Sequence, residues 1–211
     1  MKPSSEQPLA PPRKTGRPRS FDRDAALEQA MFAFWQHGYE TTSIADLTAA
    51  MGVTAPSLYT AFGDKKRLFL EAVQLYAGDP QAMADRIADA TSARDAAHDL
   101  LTSAAIGFTG EATPKGCLLA SATASGSPDS ADVQRAVAAI RTAIAHHLQL
   151  RIERDIADGV LPQEADPATL SGLVIAVIQG LSVLARDGAT RDTLLSITTA
   201  ALAAWPIRCP S

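Results

Sequence analysis

Residues 41–69, TTSIADLTAAMGVTAPSLYTAFGDKKRLF, decide the fold. Ser43 stands where it can cap a helix, and Asp46 follows three residues later as a capping-box-like partner. Ile44, Leu47 and Met51 then recur at helical spacing, which gives that helix one buried stripe. Gly52 stops it and Val53 packs inward after the turn. Thr54 is a second N-cap, with Pro56 in the first turn of the next helix, where its missing N–H costs nothing. Leu58 and Phe62 anchor this second helix to a core. Thr54, Ala55, Ser57, Tyr59 and Thr60 are left outward, small and polar enough for the helix to sit in a major groove and hydrogen-bond base edges and phosphates, with Thr42 and Ser43 joining that surface. The stretch reads as a DNA-binding helix-turn-helix.

Outward from it, Asp22 or Asp24 starts a preceding helix whose Leu27, Ala30, Met31 and Phe34 form a buried stripe up to the Gly38 stop. Phe21, Phe32, Phe34 and Trp35 concentrate aromatic mass there, a core to hold the DNA-binding helices rigid. Downstream, Asp64 caps the next helix, yet Lys65 and Lys66 follow in its first turn, where positive charge opposes the helix dipole. A DNA phosphate at Lys65 would compensate; the alternative is an exposed pair costing a few tenths of a kcal/mol, as is usual for one surface charge near a helix end.

The spacing Gly38-Tyr39-x-x-Thr42, then Gly52-Val53, then Leu58-Tyr59-x-x-Phe62 is highly specific. With GRPR at 16–19 and GDKKRLFLEAV at 63–73, it resembles the tetracycline-repressor (TetR) family of one-component bacterial regulators over about residues 17–77. Two positions depart from the family pattern: Ala61 stands where many members carry a histidine that touches the DNA backbone, and Thr48 where an alanine usually lets the two helices approach. The resemblance implies an all-α chain, with an N-terminal three-helix, helix-turn-helix DNA-binding domain (21–67) followed by a larger helical ligand-binding and dimerisation domain (68–205). It also implies a homodimer on a pseudo-palindromic double-stranded DNA operator, Lys65 on a phosphate, and repression relieved by an unidentified small-molecule effector. The alternative of an activator stays open at this point.

Composition agrees with a soluble cytoplasmic chain: 46% of the 211 residues are hydrophobic, and Cys117 and Cys209 are too far apart in sequence to suggest a disulfide framework. The net charge of −4 is unevenly spread. Residues 1–67 hold nine Lys/Arg and seven Asp/Glu, residues 68–211 ten and sixteen, so a +2 head precedes a −6 body. Residues 1–20 have almost nothing to bury and read as a disordered basic arm. Arg17 and Arg19 in GRPR either lie in a minor groove or belong to a solvated tail; their position beside the head favours the groove. No P-loop, Rossmann fingerprint, G-x-S-x-G elbow or HExxH is present, so no enzyme and no cofactor are expected. Adjacent His146 and His147 point about 100° apart on a helix, and no metal is expected.

Beyond residue 68 the chain reads as helices over about 80–90, 93–108 and 131–157, with Gly110 and Thr113-Pro114 marking a break and 125–130 a loop. The long helix keeps Val133, Val137, Ile140, Ile144, Leu148 and Ile152 on one face. Residues 168–185 carry no charge and approach membrane-span length, but Ser171, Gln179, Ser182 and two glycines favour a buried helix and no membrane partner. Helices over 167–186 and 191–204 resemble the family's dimerising pair. Gly172, Ala176 and Gly180 form a small-residue strip suited to close helix approach, between subunits or within one. Leu173, Ala176, Val177, Gly180, Leu181, Leu184, Leu194 and Ile197 are the expected dimer interface. Few aromatics in the body argue against a cage for flat cations. Cys117, near a helix start with Lys115 close in sequence, is a candidate thiol sensor; its flanking Leu118, Leu119 and Ala120 favour a small inert hydrophobe. Cys209 sits in a tail over 206–211.

Overall fold

Every helix start in the head carries the cap its sequence provides. The computed structural model describes residues 22–121 and 130–206, and among them ten helices and no strand. α1 (Arg23–His37), α2 (Ile44–Met51), α3 (Ala55–Phe62) and α4 (Lys65–Ala77) are capped by Asp22, Ser43, Thr54 and Asp64, each side chain accepting a first-turn N–H. The capping box of α2 is reciprocal. Ser43 Oγ accepts the Asp46 N–H at 3.1 Å, and the Asp46 carboxylate accepts the Ser43 N–H at 2.9 Å. Gly52 ends α2 in the left-handed conformation, φ 66°, which a side chain would strain. Arg17, Arg19, Phe21, Cys209 and residues 125–129 of the expected loop lie outside the described residues.

The body consists of α5 (Pro80–Ala88), α6 (Ala93–Phe108), α7 (Leu118–Ser121), α8 (Ala131–Ala157), α9 (Pro167–Arg186) and α10 (Arg191–Ala203). The all-α expectation holds, and α6, α8 and α9 have the bounds read from the sequence. α4 begins at Lys65, with Asp64 as the cap read from the sequence. α1 packs on α2 and α4, α7 packs against α1 and α4, and α6, α8, α9 and α10 form the bundle on which α5 rests. In the head, Phe34 meets Phe69 edge-on at 5.0 Å, and Tyr39 lies 4.9 Å from the same ring. Ala26 and Trp35 join the buried stripe of α1, whereas Leu27 is only half-buried.

Two readings of the body need correction. Leu181 and Leu194 are 1% and 0% exposed within a single protomer, so both belong to its own core and neither can face a second subunit. On α8, Val133, Val137, Leu148 and Ile152 are buried, but Ile140 and Ile144 in the middle of the stripe are only half-covered. They border a cavity described below.

The same helix carries a buried ion pair. Arg151 binds Asp155 one turn on, and both are nearly inaccessible. Asp155 also accepts the Ala93 N–H at 2.7 Å, supplying a negative charge to the N-terminus of α6, and Arg151 donates to the carbonyls of Ala90 and Thr91 at 3.2 and 3.0 Å. The pair thus fastens α8 to the α5–α6 turn. Asp155→Ala would leave a buried guanidinium unpaired and is expected to cost about 3–5 kcal/mol. Asp132→Ala, which removes the exposed partner of Lys66 and Arg135, should barely move the urea midpoint. Denaturant unfolding of the two variants checks the contrast.

Candidate nucleic-acid interface and the cavity behind it

α3 buries Leu58 and Phe62 and turns Thr54, Pro56, Ser57, Tyr59 and Thr60 to solvent. Its hydroxyls are not equally free. Thr54 Oγ1 and Ser57 Oγ share a hydrogen bond of 2.9 Å, and Thr60 Oγ1 donates to the Pro56 carbonyl at 2.8 Å. A hydroxyl that donates internally keeps acceptor capacity only. Tyr59 is 48% exposed and its hydroxyl has no hydrogen-bond partner among the described residues, so it is the side chain on this face readiest to donate to a phosphate. Ala55 is half-buried, and Ser43 remains exposed at the start of α2.

Thr42 does not share this surface. It is fully buried and its hydroxyl donates to the Gly38 carbonyl at 2.6 Å, so its part is to hold the turn between α1 and α2. Lys65 is half-buried. Its ammonium donates to the Glu40 carbonyl at 3.3 Å and lies 4.6 Å over the Tyr39 ring, and burial holds its pKa below the usual lysine range. Lys66 pairs with Asp132 of α8. The two lysines against the helix dipole therefore already have partners inside the chain. Of the two departures, Thr48 donates to the Ala45 carbonyl at 3.0 Å, and Ala61 is half-buried. Arg23, missed in the sequence, places its guanidinium 4.4 Å over the Phe62 ring and 2.6 Å from Glu71, clamping α1, α3 and α4 together. Nothing in its local pattern marks it.

Charge resolves further along the chain. Residues 1–21 hold five Lys/Arg and one Asp/Glu, whereas 22–67 hold four and six. The folded head alone is −2, and the positive charge of the first 67 residues comes from the arm that contains Arg17 and Arg19.

Behind the head lies a cavity of about 900 Å³, walled by Val73 and Tyr76 of α4, Leu100 and Phe108 of α6, Ile144 of α8 and Ile178 of α9 among others. Tyr76 connects it to the head. Its ring meets Trp35 of α1 edge-on at 4.8 Å, and its hydroxyl donates to Cys117 Sγ at 3.4 Å. Burial, then the adjacent thiol, holds the Tyr76 phenol above its usual pKa. Trp35 Nε1 donates to the Gly116 carbonyl at 2.9 Å, and Arg186 Nη2 at the end of α9 donates to the Trp35 carbonyl at 3.0 Å. Cys117 is buried in the cavity wall, and its N–H donates to Ser182 Oγ. Lys115, expected beside the thiol, donates instead to the carbonyls of Thr109 and Gly110.

Residues 26–72 match the profile described as bacterial regulatory proteins, tetR family. The chain is 37% identical to the HTH-type transcriptional repressor ComR of Escherichia coli K12, over 90% of this chain and 92% of that protein. It is 30% identical to the repressor BdcR of the same strain, over 93% and 94%. Among solved structures, a cysteine mutant of the TetR-family regulator CifR complexed with a 26-bp double-strand operator superposes with a TM-score of 0.83 at 42% identity, covering 90% of this chain and all of that one.

The hydroxyl inventory of α3 makes a directed prediction. Tyr59→Phe removes one donor without changing shape and should weaken binding to duplex DNA by about three- to tenfold, evenly across sequences, as expected of one hydrogen bond. Ser57→Ala should instead reorder sequence preference. Fluorescence anisotropy on a panel of duplexes separates the two, and unchanged affinity for Tyr59→Phe counts against the placement.

Proposed function

Because this chain belongs to the TetR family of bacterial regulatory proteins, and is thus a DNA-binding transcriptional regulator, we propose that it is a cytoplasmic homodimeric repressor released from a pseudo-palindromic operator by a small molecule. The observation that carries this reading is the double position of Tyr76, which walls the 900 Å³ cavity and also supports Trp35 of the head. A molecule filling the cavity presses on the residue against which α1 rests. To invert a 99:1 population such an effector needs about 5.5 kcal/mol of differential affinity. Thr54, Ser57 and Thr60 face the groove and Tyr59 holds a phosphate, with Ser43 beside them and Arg17 and Arg19 of the arm contributing charge.

Dimerisation is assigned to the outer face of α9 with α10. Leu173, Val183 and Leu184 are exposed large hydrophobics, Val183 at 56%, and Ala176 and Gly180 are exposed between them, with Val177 and Ile197 half-covered at the edge. Val183 replaces Leu181 and Leu194 in the interface read from sequence. A Cβ at Gly172 or Gly180 would meet no atom within 4 Å, so packing inside the protomer does not demand glycine there. A second copy seated on the strip does. α9 is also the one helix among the described residues long and apolar enough to cross a membrane, and a partner subunit accounts for its apolar outer face. Recognition helices in such a dimer reach successive major grooves about 34–36 Å apart.

Footprinting of the DNA upstream of its own coding sequence tests the assignment as a whole. Val183→Glu should give a folded protomer by circular dichroism, monomeric by light scattering, with operator affinity reduced by about a hundredfold or more because each head then binds one half-site alone. An intact dimer would move the interface elsewhere. Replacing Arg17 and Arg19 together with glutamine should lower the slope of log affinity against log salt by about two; an unchanged slope would remove the arm from the complex.

A further inference from the structure

We propose that the effector is an amphipathic anion, an apolar body with a carboxylate-like head, bound in the 900 Å³ cavity with its head at Arg141, in a wall to which Arg86 and His147 also contribute. This deepens the effector reading above and rests on it. The cavity wall is mainly aliphatic, which sets the apolar body. Its charge sets the head. Residues 68–211 hold sixteen Asp/Glu against ten Lys/Arg, yet no Asp or Glu lines the cavity among the described residues, while Arg86, Arg141 and His147 do. By contrast, the groove of about 770 Å³ along α1 and α4 is rimmed by Asp22, Asp24 and Glu28.

None of the three basic side chains has an acidic partner among the described residues. Elsewhere in the body, where a guanidinium is buried, as at Arg151, a carboxylate accompanies it. Arg141 is half-buried on α8, and its Nη1 donates to the Leu119 carbonyl at 3.2 Å across the cavity edge. That tether keeps the guanidinium at the wall instead of in solvent. A guanidinium fixed in this way presents the donor fork that matches a carboxylate. Arg86 stands near the end of α5, exposed at the rim, and the same positive field disfavours a cationic ligand.

Calorimetry on the full-length protein with octanoate, 1-octanol and octyltrimethylammonium tests the assignment. Octanoate should bind about tenfold or more tightly than 1-octanol, the margin of one charge-assisted hydrogen bond, and the cation should not bind. Arg141→Gln should erase the preference by weakening octanoate about tenfold or more, with a smaller loss for 1-octanol. Arg86→Gln, exposed at the rim and without a role in the Leu119 tether, should reduce the preference with the circular dichroism spectrum of the wild type retained. Equal or tighter binding of 1-octanol or of the cation overturns the anionic head and leaves the cavity as effector site. A preference that survives in both variants overturns the residue assignment. Binding by none of the three probes overturns both the anion and the cavity reading.

Discussion

The indole N–H of Trp35 reaches the Gly116 carbonyl at 2.9 Å only because the chain at Gly116 turns through φ 77° and lies hard against α9. A Cβ at that position would come within 2.7 Å of Arg186 Nε and 2.8 Å of the Ser182 carbonyl, so both the conformation and the space exclude any side chain. Arg186 closes the arrangement by donating to the carbonyl of Trp35 and, at 3.4 Å, to that of Cys117. One stretch before α7 therefore holds the last turn of α1 and the last turn of α9 at once. The orientation of the head is set by these polar bonds and by the Trp35–Tyr76 ring contact.

This arrangement gives α9 two separate duties. Its inner face, with Leu170, Val174, Leu181 and Ala185, completes the protomer core, and Ser182 and Arg186 reach the junction with the head. Its outer face carries Leu173, Ala176, Gly180 and Val183, which the protomer leaves uncovered. If the outer face meets a second copy, the head–body junction and the subunit contact lie on one rigid rod, so the spacing between two heads follows from helix geometry.

Much of this was legible in the sequence because it rests on local chemistry. Caps such as Ser43, Thr54 and Asp64 act within three residues of themselves, and Gly52 and Gly38 end helices for reasons of backbone sterics. The starts of α6 and α9 follow from the same rule, Ser92 and Asp166 each accepting a first-turn N–H. What failed depends on the packing of elements distant in sequence. Periodicity places Leu181 and Leu194 on apolar faces but cannot tell which apolar face meets the same chain. Thr42 looked like a surface hydroxyl because its partner, the Gly38 carbonyl, is created by the turn. Arg151 and Asp155 stand one helical turn apart with nothing in the sequence to single them out, and their burial appears only when α5 and α6 close over them. The charge of the head was read over too long a window, which merged an acidic folded unit with its basic arm.

The half-covered Ile140 and Ile144 carry a consequence for how such a body evolves. A core stripe interrupted midway is packing foregone, and larger side chains facing that gap would tighten the bundle. Selection for heat resistance would therefore tend to plug the hollow, and, if an effector binds there as proposed, a lineage that did so would keep its grip on DNA while growing deaf to that effector. On that reading the gap between these two isoleucines is the place where durability and responsiveness compete for the same few atoms.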